Sequence, residues 1–201
     1  MLIDELVDWN IILASSSPRR KELLKKLGLS FKQVDISFSE SFPDGLGNLE
    51  TAKYLAMRKS EQARELVLER NIVITADTIV CLGTRIMGKP ENREEAISIL
   101  KQLSGKRHNV ITGVCLSASK LRTCFVASTE VLFSKLEERE IEHYVDKYKP
   151  FDKAGAYGIQ EWIGYIGIEE ITGSYFNVMG LPVQSLYKEM KCFIKELKRI
   201  K

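Results

Sequence analysis

The stretch NIILASSSPRRKELLKKLG, Asn10 to Gly28, changes its hydrophobic period partway along. Asn10 to Ala14 is a short apolar run of strand type, and Ser15 to Pro18 then supplies hydroxyl caps with a proline suited to a first helical turn. A helix is expected from Arg19 to about Leu27, with Leu23, Leu24 and Leu27 on one face and Gly28 as its stop.

The same alternation continues to the end of the chain. Phe31 to Ile36 reads as a strand, and Ser37 to Asn48, with Pro43, Gly45 and Gly47, as a loop. Glu50 to Glu69 keeps a helical period through Ala52, Leu55, Ala56, Ala63, Leu66 and Val67. Ile72 to Ala76 is a buried strand that delivers Asp77 at its end, and Thr78 to Leu82 resumes strand character before a turn at Gly83. Asn92 to Leu103 is a helix with an Asn cap, Glu95 three residues later and Gly105 past its end. Two strands, about Asn109 to Ala118 and Thr123 to Phe133, precede a helix over Glu137 to Tyr148, a strand over Ile163 to Thr172 and a closing helix over Pro182 to Ile200. This mixture predicts an α/β or α+β fold with a central sheet flanked by helices. With no repeat or low-complexity linker in sight, residues 1–201 read as a single domain.

Composition removes several classes of function. The net charge of +3 comes from 30 basic and 27 acidic residues dispersed along the chain, too weak a bias for a duplex DNA partner. Asp4, Glu5 and Asp8 occupy the region where an export signal needs positive charge, and the uncharged run from Val110 up to Lys120 is too short to span a bilayer. A soluble cytoplasmic protein is expected. Cys81, Cys115, Cys124 and Cys192 form no CxxC pair and are expected as buried, reduced thiols.

Four stretches carry polar residues that the fold does not need. In ASSSPRR, Ala14 to Arg20, a strand entering a helix through hydroxyl residues leaves backbone N–H groups where phosphate binds well, and Arg19 and Arg20 add forked donors. The alternative is an ordinary serine cap with solvated arginines. In ADTIVCLGTRIMGKP, Ala76 to Pro90, Asp77 suits a hard divalent cation and Lys89 a phosphate, although an Asp at a strand end also serves as a turn former. In LSGKRHNVITGV, Leu103 to Val114, His108 is read as a hydrogen-bonded structural residue rather than a catalyst, and His143 as solvated on its charged helix. PFDKAGAYGIQ and ITGSYFNVMGLP gather Asp152, Lys153, Gln160, Ser174, Tyr175 and Asn177 among small residues that allow close backbone approach or simply turn the chain.

Taken in order, LASSSPRR, ADTIV with GKP, LSG with HNVITGV, DKAGAYGIQ and GSYFNVMGLP resemble the Maf family of nucleotide pyrophosphatases, over Ile11 to about Tyr187. The resemblance implies an α/β fold with a mixed, elongated central sheet flanked by helices, two lobes with a cleft between them as in ITPase-like proteins, and hydrolysis of a nucleoside triphosphate to its monophosphate and pyrophosphate with Mg2+ or Mn2+. It implies that Ser15, Arg19 and Arg20 bind phosphate. It implies that Glu40 and Asp77 stand near the metal and the attacking water, with Asp77 the central acid, as metal ligand or as the base that orients water, while Lys59 and Lys89 neutralise the triphosphate. Gln160 falls at the base-recognition end, and AGAYGIQ is similar to the branch that prefers dTTP and UTP. An amide offers both a donor and an acceptor to a pyrimidine edge. Glu161 and Trp162 are bulky where that branch has small residues. The resemblance implies a nucleotide partner, neither nucleic acid nor membrane, and leaves room for a homodimer. Rival readings are a pyrophosphatase for ITP, XTP or 7-methyl-GTP, and a non-catalytic nucleotide-binding regulator of cell division.

Overall fold

The computed structural model describes residues 1–36, 41–119 and 121–200. Element α1 (Leu2–Glu5) precedes β1 (Asn10–Ala14), α2 (Pro18–Lys26), β2 (Phe31–Val34), α3 (Asn48–Gln62), β3 (Asn71–Leu82) and β4 (Arg85–Met87). There follow α4 (Arg93–Leu103), β5 (Arg107–Ala118), β6 (Leu121–Phe133), α5 (Glu138–Tyr148), α6 (Trp162–Gly167), β7 (Ile168–Thr172), α7 (Tyr175–Val178) and α8 (Val183–Ile200). Seven strands form one sheet in the order β2-β1-β3-β5-β6-β7, with β4 paired to β3. β1 runs parallel to both β2 and β3, whereas β3–β4 and β6–β7 are antiparallel. The sheet is therefore mixed, as the resemblance implies.

The chain divides into two compact units. One comprises Met1–Asp77, Thr112–Ala127 and Gly180–Lys201, the other Thr78–Ile111 and Ser128–Met179. In the first, Ile12, Ala14, Ala63 and Val73 form a buried cluster, with Val34, Ile36, Leu66 and Val67 packed against it. Helix α3 lies close to the sheet through a stripe of small residues four apart: Ala52, Ala56 and Ser60. The Thr75 hydroxyl donates to the Ala56 carbonyl at 3.2 Å, and Ser60 Oγ lies 2.8 Å from Ser117 Oγ. At Gly113 of β5, an added Cβ would stand 2.2 Å from the Ala52 carbonyl oxygen, so only glycine permits this approach. Among the described residues no helix is long and apolar enough to cross a membrane.

Four sequence expectations are corrected. Asp77 does not end a strand: β3 is continuous over Asn71–Leu82, because Thr78 to Leu82 stays extended and pairs with β4 through Val80↔Met87. The apolar stretch from Ile163 is not strand throughout. Trp162–Gly167 is helical and only Ile168–Thr172 is extended. A Cβ at Gly164 would meet the Ile159 carbonyl oxygen at 1.8 Å, so the glycine lets this turn wind back onto the preceding segment. Third, Cys115 and Cys124 form a disulfide, Cα to Cα 4.1 Å, and Cys192 is exposed. The two bonded cysteines lie equally far from the turn joining β5 to β6 and so face each other across the pair, a relation that needs no close spacing in sequence. Cys81 is buried and free as expected, and burial pushes its thiol up to about 11.

The helix expected over Glu50 to Glu69 is also shorter, ending at Gln62 before a 3-10 turn over Arg64–Leu66. That turn brings Leu66 and Val67 back onto Ala63 and Val73.

Candidate active site

The residues of ASSSPRR sit just past the carboxyl end of β1, next to the middle of the longer parallel strand β3. The β1–β3 register closes at Leu13↔Ile74, so Ser15 to Ser17 lies beyond it, alongside the part of β3 that leads to Asp77. Ser17 caps α2, its hydroxyl accepting from the Arg20 N–H at 3.4 Å, and Pro18 opens the helix. Ser15 Oγ accepts from the Ser17 N–H and from Arg20 Nη1, each at 3.3 Å. Arg20 Nε donates to the Gly180 carbonyl at 2.8 Å. Arg20 is thus buried and oriented at two nitrogens, unlike the solvated arginine of an ordinary cap.

Asp77 is buried on β3, on the same face as Val73 and Thr75, and pairs with Lys59 of α3. The two side chains are 6% and 14% exposed, and Lys59 Nζ donates to Asp77 Oδ1. The stripe that seats α3 on the sheet is what brings Lys59 within reach. Two carboxylate oxygens at Asp77, with no thiolate or imidazole among the assigned residues, form a donor chemistry that fits a hard cation completed by phosphate oxygens. Among the described residues no group of three or more His, Cys, Asp or Glu side chains gathers at one point. Glu40, the other carboxylate assigned to the metal, lies outside the described residues.

Lys89 and Gln160 belong to the second unit. Lys89 is exposed, next to Gly88, whose carbonyl accepts the Gly155 N–H at 3.1 Å. This bond ties the GKP segment to DKAGAYGIQ. Gly155 has φ +71°, and a Cβ there would meet Val80 Cγ1 at 2.9 Å. Its left-handed backbone and its crowding both exclude a side chain. Gln160 stands in a turn closed by the Glu161 N–H donating to the Gly158 carbonyl at 2.9 Å. Its Oε1 is buried, with no hydrogen-bond partner among the described residues.

Three side chains around that turn escaped the sequence reading in their connections. Tyr144 Oη accepts the Gly158 N–H at 3.0 Å and donates to Glu161 Oε2. Lys153 Nζ lies 3.1 Å from Glu161 Oε1 and 2.7 Å from Asp152 Oδ1. Burial and the Glu161 carboxylate hold the Tyr144 phenol far above its ordinary range. Lys153 was visible within DKAG, but nothing local in sequence joins it to Tyr144.

The structural readings of other residues stand. His108 is buried, its Nε2 2.8 Å from the Tyr157 hydroxyl, and its ring meets Phe133 and Tyr157 edge to face. Burial lowers its pKa to about 4. His143 is exposed against the Trp162 ring. Asn177 Nδ2 donates to the Val110 carbonyl and to Thr129 Oγ1, each at 3.0 Å, so it ties α7 to β5 and β6.

The family model described as Maf-like protein matches residues 10–193. A dTTP/UTP pyrophosphatase of Bacteroides thetaiotaomicron is 48% identical over 191 residues, covering 94% of this chain and 99% of its own length. The dTTP/UTP pyrophosphatase of Phocaeicola vulgatus is 50% identical over 191 residues, with the same coverage of 94% and 99%. Among solved structures, the Staphylococcus aureus Ham1 protein superposes with a TM-score of 0.43 at 16% identity, over 62% of this chain and 71% of that one.

Proposed function

The chain belongs to the Maf family, and from that premise we propose that it hydrolyses dTTP and UTP to the nucleoside monophosphate and pyrophosphate. The observation that carries this reading is the buried Lys59–Asp77 pair on β3, together with the ASSSPRR helix start just past the carboxyl end of the parallel strand β1. Parallel strands commonly place ligands at that end, and the N–H groups of a helix start favour phosphate.

In the reaction, a water oxygen attacks the α-phosphorus, the bond to the bridging oxygen breaks, and pyrophosphate leaves with that electron pair. Ser15, Arg19 and Arg20 offer hydroxyl and guanidinium donors to the phosphates, while Lys59 and Lys89 offset their charge. Arg20, already oriented by Ser15 and the Gly180 carbonyl, needs little reorganisation to do so. Asp77 stands as the central carboxylate at the attacking water. Bound Mg2+ or Mn2+, held by Asp77 and, on the family pattern, Glu40, would neutralise phosphate oxygens. Gln160 reads the base: its buried Oε1 suits the N3–H of uracil or thymine and its Nε2 a neighbouring carbonyl. The setting we assign is cytoplasmic, on free nucleotides, by a monomer or homodimer, without nucleic acid or membrane.

Pyrophosphate release across a panel of triphosphates tests the assignment. kcat/KM for dTTP and UTP is expected above that for ATP, GTP, ITP, XTP and 7-methyl-GTP. Gln160→Ala should flatten the preference by about tenfold to a hundredfold, the scale of a lost polar contact. A wild-type panel led by ITP or 7-methyl-GTP would overturn the pyrimidine reading.

A further inference from the structure

The turn Gly158 to Glu161 places Gln160 at its third position, and its two ends share one phenol. The Tyr144 hydroxyl accepts from the first residue and donates to the side chain of the last, while Lys153 holds the other oxygen of that carboxylate. Tyr144 is fully buried, and the Lys153 and Glu161 side chains are 9% and 19% exposed. There is little slack. A Cβ at Gly158 would lie 2.8 Å from Glu161 Cδ and 3.1 Å from Gln160 Nε2. Charged pairs buried to this degree contribute little net stability over apolar side chains of similar size, so what the cluster supplies is a fixed geometry. Gln160 Oε1 has no partner among the described residues, so the backbone turn that carries the amide is what aims it.

We propose that Glu161, held between Tyr144 and Lys153, is a positioning residue that fixes the Gln160 amide and thereby sets the preference for a uracil or thymine base. This rests on the reading of Gln160 as the base contact. It also gives the bulky residue after AGAYGIQ a role: its carboxylate engages Tyr144 and Lys153 and pins the turn.

The test is a cycle on kcat/KM for dTTP relative to ATP in the wild type, Glu161→Ala, Gln160→Ala and the double variant. Glu161→Ala should lower the ratio about tenfold, as expected for one misplaced polar contact, with the loss in KM for dTTP rather than in kcat. Acting through Gln160, it should lower the ratio no further in the Gln160→Ala background. Glu161→Gln, which still accepts from Tyr144, should recover part of the preference. Tyr144→Phe breaks the same link from the other side and should repeat the loss, so the comparison survives if Glu161→Ala does not fold. A ratio unchanged in folded Glu161→Ala or Tyr144→Phe, or a full further drop on top of Gln160→Ala, overturns the proposal. A wild-type ratio near unity would instead sink the pyrimidine reading itself.

Discussion

Lys59 and Asp77 should separate stability from chemistry when they are replaced singly and together. Removing one member of a pair this buried takes from its partner a charge it faces at close range, a loss of about 3 kcal/mol. For a chain of this size that corresponds to a fall in Tm of roughly 6–12 °C. Lys59→Met keeps the length of the side chain and leaves the Asp77 carboxylate without the ammonium, while Asp77→Asn keeps the shape and removes the carboxylate charge beside the ammonium. In the double variant neither charge remains, so roughly 2 kcal/mol of coupling should return. Turnover should behave otherwise. Asp77→Asn is expected to lower kcat by about two orders of magnitude or more, the scale of a lost positioned acid or base, and the double variant should stay at that level. Thermal melts and pyrophosphate release on the same four proteins read both quantities. If folded Asp77→Asn turns over dTTP near the wild-type rate, or if the double variant regains activity along with stability, the pair is a packing device and the reaction lies elsewhere.

Two further outcomes follow from the site and the core. Excess chelator should abolish hydrolysis and added Mg2+ or Mn2+ restore it, because the Asp77 carboxylate would otherwise meet the triphosphate as like charge; full turnover in EDTA would remove the cation from the account. His108 is held neutral, burial lowering its pKa from the ordinary 6.5 to about 4, so the unfolded chain takes up the proton first. The stability this contributes is complete above pH about 6.5 and is lost as pH falls from there through about 4, roughly 2 kcal/mol between pH 7.5 and 5. His108→Phe should show a correspondingly shallower acid loss in urea unfolding, and parallel pH curves for the two proteins would contradict the assignment.

The parts of the molecule that were legible in sequence are those that local period and capping dictate. The β1–α2 unit with its Ser17 cap, the Asn92 cap of α4 and the closing helix follow their expected positions closely. At Asn92 even the acid three residues on is engaged, although Glu95 Oε2 accepts from the Glu91 N–H rather than from the cap's own. What escaped depends on tertiary partners. WIGYIG is apolar enough for either period, and the helical turn there rests on the Gly164 N–H donating to the Glu161 carbonyl at 2.8 Å and on the room the glycine leaves for the Ile159 carbonyl. Asp77 looked terminal because an acid interrupts an apolar run, yet β4 keeps β3 extended past it. At the site, Ser15 and Arg20 were recognisable as a polar helix start. The union of Tyr144, Lys153 and Glu161 joins a helix to a turn and leaves no periodic trace.

The close seating of α3 on β5 links a residue without a functional group to the reaction. Position 113 cannot gain even a methyl group unless α3 moves away from the Ala52 contact, and Lys59 moves with α3, since both belong to one helix. A change at Gly113 chosen to stiffen the strand would therefore be felt as weaker charge compensation at Asp77. An engineer selecting for heat resistance and one selecting for turnover would be acting on the same backbone distance.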